Sequence, residues 1–173
     1  MNKIIMALLL IVPMFGCQPR EEGQSSASAI PDQRKEAAKK MLAQSVVLLE
    51  NKDLPGAVSA METSIKIDPS NPEGYLLLGQ ILLKAEQFDR ASGLLDQAAK
   101  TFPDNGMVFY MLSVSNKMAG RKLPAALAAR HSFDLFKAAN DVENAQKSAV
   151  LLEQVLAIPD NAAAAAPVAL KKK

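Results

Sequence analysis

Apolar residues along this chain recur at helical spacing and stop at short polar breaks. Ala37, Ala38, Met41, Leu42, Ser45, Leu48 and Leu49 trace one face of a helix, and Asp32, just after Ile30 and Pro31, is placed to cap it. The stretch from Lys52 to Gly56 breaks that run, because Pro55 fits only a first helical turn. A second helix is predicted from about Leu54 to Ile67, with Ala57, Met61, Ser64 and Ile65 on one stripe. Asn71 then caps a third, with Pro72 at its first position and Glu73 near the positive end of the dipole. From Asn71 to Pro103 the chain reads as two short helices folded back on each other. A last helix is predicted from about Val142 to Ala157, capped by Asp141, with Ala145, Ala149, Leu152 and Leu156 on its apolar face.

The same plan repeats at intervals of 34 residues. Met41, Tyr75 and Phe109 are large and apolar. Ser45, Gly79 and Ser113 are small, as are Ala57, Ala91 and Ala125. Met61, Leu95 and Ala129 follow, then Ser64, Ala98 and Ser132; Pro69 and Pro103 close two units, and Lys137 stands at the third such place. Small residues at fixed places let paired helices approach closely, while large ones fill the space between pairs.

This pattern resembles the tetratricopeptide repeat, over roughly residues 38–137. The middle unit carries it best, as Tyr75-x2-Leu78-Gly79-x2-Leu82 followed by Ala91-x3-Leu95, Ala98 and Pro103; Leu82 stands where the family usually has Tyr. The first unit departs from the pattern at Gln44 and Ser45, and the third lacks the closing proline. The resemblance implies an all-α fold, a right-handed solenoid of three helical hairpins with a C-terminal capping helix. Such units need about three neighbours and a polar end cap to bury a continuous core.

In that family the first helix of each pair lines the inner face of a curved stack. Position by position, this assigns Leu42, Val46 and Leu49 to the face from the first unit. Leu76, Gln80, Leu83 and Lys84 come from the second unit, and Tyr110, Val114, Lys117 and Met118 from the third. The result is an apolar groove rimmed by two lysines, suited to an amphipathic helix or an apolar peptide segment. The competing reading is that these residues pack between repeats or are covered by the chain's own ends.

The N-terminus reads as an address. Ile4 to Phe15 form an apolar segment of twelve residues behind Lys3. As a helix it spans roughly 18 Å, short of a hydrocarbon core of about 30 Å, so a signal peptide over residues 1–16 is expected rather than a membrane span. Met14-Phe15-Gly16-Cys17 resembles the lipobox of bacterial lipoproteins, in which the cysteine becomes the first mature residue and carries lipid. Gly16 and Cys17 match it, while Met14 and Phe15 depart from the usual residues. Gln18 after the cysteine fits, by the same resemblance, delivery to the outer membrane facing the periplasm. Cleavage after Ala27-Ser28-Ala29, or a chance cysteine in an uncleaved leader, are the other readings. Residues 17–31 read as a lipidated cysteine and a polar tether, 32–158 as the repeat domain and 159–173 as a low-complexity, alanine-rich tail ending in three lysines.

Composition narrows the function. Apolar residues make up 49% of 173, and ten prolines and eight glycines are too few for a sheet protein with many tight turns. The net charge is +2, which gives no electrostatic footprint for nucleic acid. Cys17 is the only cysteine and His131 the only histidine, so neither a disulfide framework nor a Cys/His metal motif is expected. No acid pair, glycine-rich phosphate loop or cofactor motif stands out. The expectation is a non-enzymatic scaffold anchored by lipid in the cell envelope, holding a protein or peptide partner, in pilus or secretion biogenesis or in outer-membrane assembly. The alternative is an envelope protein that self-associates through the same face.

Overall fold

The computed structural model describes residues 26–159, and every regular element in that span is an α-helix. The helices are α1 (Ser26–Glu50), α2 (Leu54–Ile67), α3 (Pro72–Lys84), α4 (Phe88–Thr101), α5 (Gly106–Met118), α6 (Lys122–Ala138) and α7 (Val142–Leu156). Successive helices pack on each other, giving hairpins α1–α2, α3–α4 and α5–α6 with α7 on the end; α3 also touches α5, and α5 touches α7. The expected stack of three hairpins and a closing helix is what forms. Cys17, the leader and the tail from Asp160 onward lie outside the described residues.

Local chemistry sets the helix ends. Asn71 accepts from the Glu73 amide at 3.0 Å, with Pro72 opening α3 where its missing N–H costs nothing. Asp53 caps α2 through the Gly56 amide, and Asn105 caps α5 through the amides of Met107 and Val108. At the other ends, Lys52 (φ 61°), Glu86 (φ 57°) and Gly120 (φ 74°) adopt left-handed backbone at intervals of 34 residues. Their amides return to Leu49, Leu83 and Lys117, and the next amides return to Leu48, Leu82 and Asn116. Each hairpin therefore turns by the same paired closure of a helix C-terminus.

Two boundaries differ from the expectation. First, α1 begins at Ser26 rather than at Asp32, so part of the stretch read as tether is helical. The Ser26-Ala27-Ser28-Ala29 run tolerates helix, while Pro31, past the first turn, forfeits its N–H bond and crowds the carbonyl four residues back. With 25 residues against 14 in α2, α1 overhangs its partner by roughly 16 Å; residues 32–37 are exposed, and Ala38 is buried. Second, the buried stripe of α7 is Ala145, Ser148, Leu151 and Val155, while Leu156 is 57% exposed. Ser148 is drawn inward because its hydroxyl stands 2.9 Å from that of Ser132 and within reach of the Asn144 carbonyl, its single proton serving one or the other. Counting serine as polar rotates the predicted face by about one residue.

The core runs along the stack as overlapping clusters. Leu42, Met61, Leu78, Ile81, Leu82 and Ala91 join the first two hairpins. Tyr75, Ala98 and Val108, then Leu95, Leu112 and Ala128, carry it to the third. Ala125, Ala129, Leu151 and Val155 seal α7. Each fully buried leucine or valine contributes about 1.5–3 kcal/mol, and the small positions make that burial geometrically possible. Gly79 shows the tolerance: a Cβ there would stand 3.2 Å from both Leu95 methyl groups. Ser64 and Ser132 add cross-helix bonds at the repeat interval, donating to the carbonyls of Ala38 and Gly106 at 2.8 Å.

Candidate protein-binding face

The first helices of the hairpins, together with α7, bring the predicted groove residues onto neighbouring elements but give them different roles. Leu42 is only 7% exposed and belongs to the core between the first two hairpins, so it is not available as lining. Leu49 and Leu83 are half-buried against that same cluster. Leu76 is half-buried between two clusters and bridges the second and third hairpins. Tyr110 and Val114 pack, half-buried, on Ala125, Ala129, Leu151 and Val155. Packing between repeats removes Leu42 from the lining and takes up part of the surface of the other five.

The positions open to a partner are Val46 (43% exposed), Gln80, Lys84 and Met118 (52% exposed). Gln80 and Lys84 stand one turn apart on α3, on the same side of the helix. Lys117 is half-buried and donates from Nζ to Gln154 Oε1 at 2.6 Å, so a neutral α7 side chain positions it. Met118 supplies a flexible, polarisable contact beside it.

The sequence reading missed the part played by α7. A cavity of about 380 Å³ lies between α5 and α7, lined by Tyr110, Glu143, Gln146, Lys147, Val150, Leu151 and Gln154. Lys147 is held protonated more firmly than usual, chiefly by its bond to Glu143 at 2.7 Å. At the entry to α7, Asp141 is held below the usual carboxylate range, first by a hydrogen bond from the Asn144 side chain and then by the Asn144 amide. The signal available in the sequence was the Gln146, Val150 and Gln154 spacing, one face of α7 distinct from its buried stripe.

The remaining features lie away from this face. His131 is exposed and stacks edge-on against Phe109, ring centroids 4.3 Å apart, beside a second cavity of about 400 Å³ that also involves Asp96, Leu127 and Pro124. Among the described residues no group of three or more His, Cys, Asp or Glu is arranged to hold a metal ion. No helix among them is long and apolar enough to cross a membrane.

Comparison with known proteins agrees with this architecture. Residues 48–113 match the family described as tetratricopeptide repeat. No curated protein sequence matches the chain. Among solved structures, the TPR2B domain of yeast Sti1, in complex with an Hsp70 peptide, is 17% identical with a TM-score of 0.63, covering 70% of this chain and 97% of that one. PcrH in complex with the chaperone-binding region of PopD is 14% identical with a TM-score of 0.62, covering 71% and 93%. The type III secretion translocator chaperone SycD of Yersinia enterocolitica is 14% identical with a TM-score of 0.61, covering 70% and 92%. The chain is thus an all-α helical repeat protein with the fold of these tetratricopeptide domains, and its residues 48–113 carry the sequence match to that family.

Proposed function

We propose that this protein is a lipid-anchored scaffold of the bacterial envelope that holds a protein or peptide partner on the face formed by its first helices. The observation that carries the reading is the exposed set on that face. Val46, Gln80, Lys84 and Met118 are exposed on α1, α3 and α5, while Leu42 lies in the core and Leu49, Leu76 and Leu83 are half-buried beside them. A rigid, packed frame with a few open apolar and cationic positions suits an amphipathic segment whose apolar stripe meets Val46 and Met118 and whose acids meet Lys84 and Lys117. Sti1 and PcrH, in the complexes described above, are bound to a partner peptide or protein region, which supports the same use of the fold here.

Gly16-Cys17 at the end of the apolar leader supports the anchor, and Gln18 supports the outer membrane as its destination. Pilus or secretion biogenesis and outer-membrane assembly are the settings proposed for it. The test of the face is capture from native envelopes by wild type and by the Lys84→Glu, Met118→Glu double variant. Capture should fall at least tenfold with helical content unchanged; equal capture would refute this face. Leu76→Glu and Tyr110→Glu are unsuitable for this purpose, since both side chains pack between repeats and a charge there reports on folding. Labelling with a radioactive fatty acid, with and without Cys17→Ala, tests the anchor, and label that persists without Cys17 would rule it out.

A further inference from the structure

We infer that the junction between the second and third hairpins is a directional polar lock, which fixes the angle at which α5, α6 and α7 stand on the rest of the stack. The inference concerns the shape of the stack and does not depend on which partner it holds. Its basis is a departure from the repeat. At the junction between the first and second hairpins, Val58 packs against the apolar cluster that contains Leu82. The residues 34 positions on are Ser92 and Asn116, both only 4% exposed, and Ser92 donates from Oγ to Asn116 Oδ1 at 2.8 Å.

Arg121 completes the arrangement from the turn between α5 and α6. Its Nη1 donates to Ser92 Oγ at 2.9 Å, and its Nη2 donates to Asp89 Oδ1 at 2.6 Å. Four side chains from α4, α5 and the following turn thus form one chain of bonds across the junction. At the equivalent places in the preceding unit stand Pro55 for Asp89 and Gln87 for Arg121, and the polar bonds at that junction, from Arg90 to Gln87 and to Glu62, lie at its exposed edge rather than in its buried middle.

The two junctions differ physically. Apolar contact is nearly indifferent to small rotations, so a leucine against a valine permits several packings of similar energy. A buried amide and hydroxyl satisfy each other only over a narrow range of angle and distance, so rotation at the junction breaks their bond. The outer Arg121–Asp89 pair is exposed and weak in itself, but it holds the guanidinium over Ser92. The consequence is one preferred angle at this junction and a softer one at the first.

The test exchanges the lock for the residues of the other junction. Spin labels at Lys66→Cys on α2 and Glu153→Cys on α7, in a Cys17→Ser background, report the distance across both junctions. Ser59→Cys with Gln97→Cys reports the first junction alone. The Ser92→Val, Asn116→Leu double variant should keep its helical content and match or exceed the parent in melting temperature. Its α2–α7 distance distribution should broaden or shift, with the α2–α4 distribution unchanged. Arg121→Gln, which alters only the exposed end of the chain of bonds, should move the α2–α7 distribution in the same direction by a smaller amount. An α2–α7 distribution that neither variant changes would overturn the inference, as would an equal change in the α2–α4 control.

Discussion

Replacing Gly79 by serine tests whether small and large residues are matched in pairs across each hairpin. The first hairpin sets Ser45 in register with Met61, the second Gly79 with Leu95, and the third Ser113 with Ala129. The smallest residue thus faces the bulkiest rigid one. An added Cβ would lie 3.2 Å from Cδ1 and Cδ2 of Leu95 and 3.3 Å from Cγ, and Leu95 is fully buried against Leu112 and Ala128. Overpacking at such a site costs about 1–3 kcal/mol. Removing a mid-helix glycine returns only about 0.5 kcal/mol when serine replaces it. The clash wins, and Gly79→Ser should destabilise by about 0.5–2.5 kcal/mol. Leu95→Met conserves volume and should cost less than about 1.5 kcal/mol, while its flexible end can leave the space an introduced hydroxyl needs. Combined, the two changes recreate the pairing of the first hairpin, where Ser45 donates to the Leu42 carbonyl. The double variant should then be more stable than the sum of the single effects predicts, by about 1 kcal/mol or more. Urea denaturation followed by far-ultraviolet circular dichroism measures all four proteins, with an unchanged m-value as the check that the transitions compare. Additivity within about 0.5 kcal/mol, or a stabilised Gly79→Ser single variant, would refute the matched-pair reasoning.

Other outcomes follow from single features. Tyr75 is fully buried, its hydroxyl has no hydrogen-bond partner among the described residues, and burial raises its pKa; Tyr75→Phe should leave stability unchanged or raise it by about 1 kcal/mol in the same urea assay. Gly120 has φ 74° with open space around its Cα, so Gly120→Ala isolates backbone strain and should cost about 1 kcal/mol, whereas Glu86→Gly should stabilise by up to about that much. Asn105→Ala removes the acceptor for two amides at the start of α5 and should cost about 0.5–2 kcal/mol in melting experiments. Asp141 has a folded pKa below its ordinary 3.8, so its cap contribution is present above that value and is lost as pH falls through the lower folded value; amide exchange should show α7 loosening in that acid range in the wild type, while Asp141→Asn should show no such step.

Much of the fold was legible because the repeat interval exposes positions rather than residue types. Serine, glycine and alanine at equivalent places announce close helix approach whatever their polarity, and Asn71 and Pro72 mark a boundary by unambiguous backbone chemistry. The left-handed turns at Lys52 and Glu86 were not legible as such, because only Gly120 carries the residue that such a backbone favours. Their 34-residue spacing from Gly120 was the available sign. The start of α1 was placed too late because Asp32 after Pro31 reads as a cap, whereas the helix runs back through Pro31 to Ser26. The helices that carry the candidate residues were legible, but the exposure of each residue was not. Leu76 and Tyr110 lie on helices of that face, yet the neighbouring hairpin and α7 half-cover them, and that depends on how closely the second helices approach.

The central claim is that a partner occupies the face of the first helices and not the outer face of the second helices. Site-specific photocrosslinking in native envelopes tests it directly, with a photoreactive residue placed in turn at Lys84, Met118, Ser59 and Gln97. These four positions are all exposed, the first two on α3 and α5 and the last two on α2 and α4. The account predicts one common adduct from Lys84 and Met118, with little from Ser59 or Gln97. The same adduct arising from Ser59 and Gln97, with none from Lys84 or Met118, would contradict it.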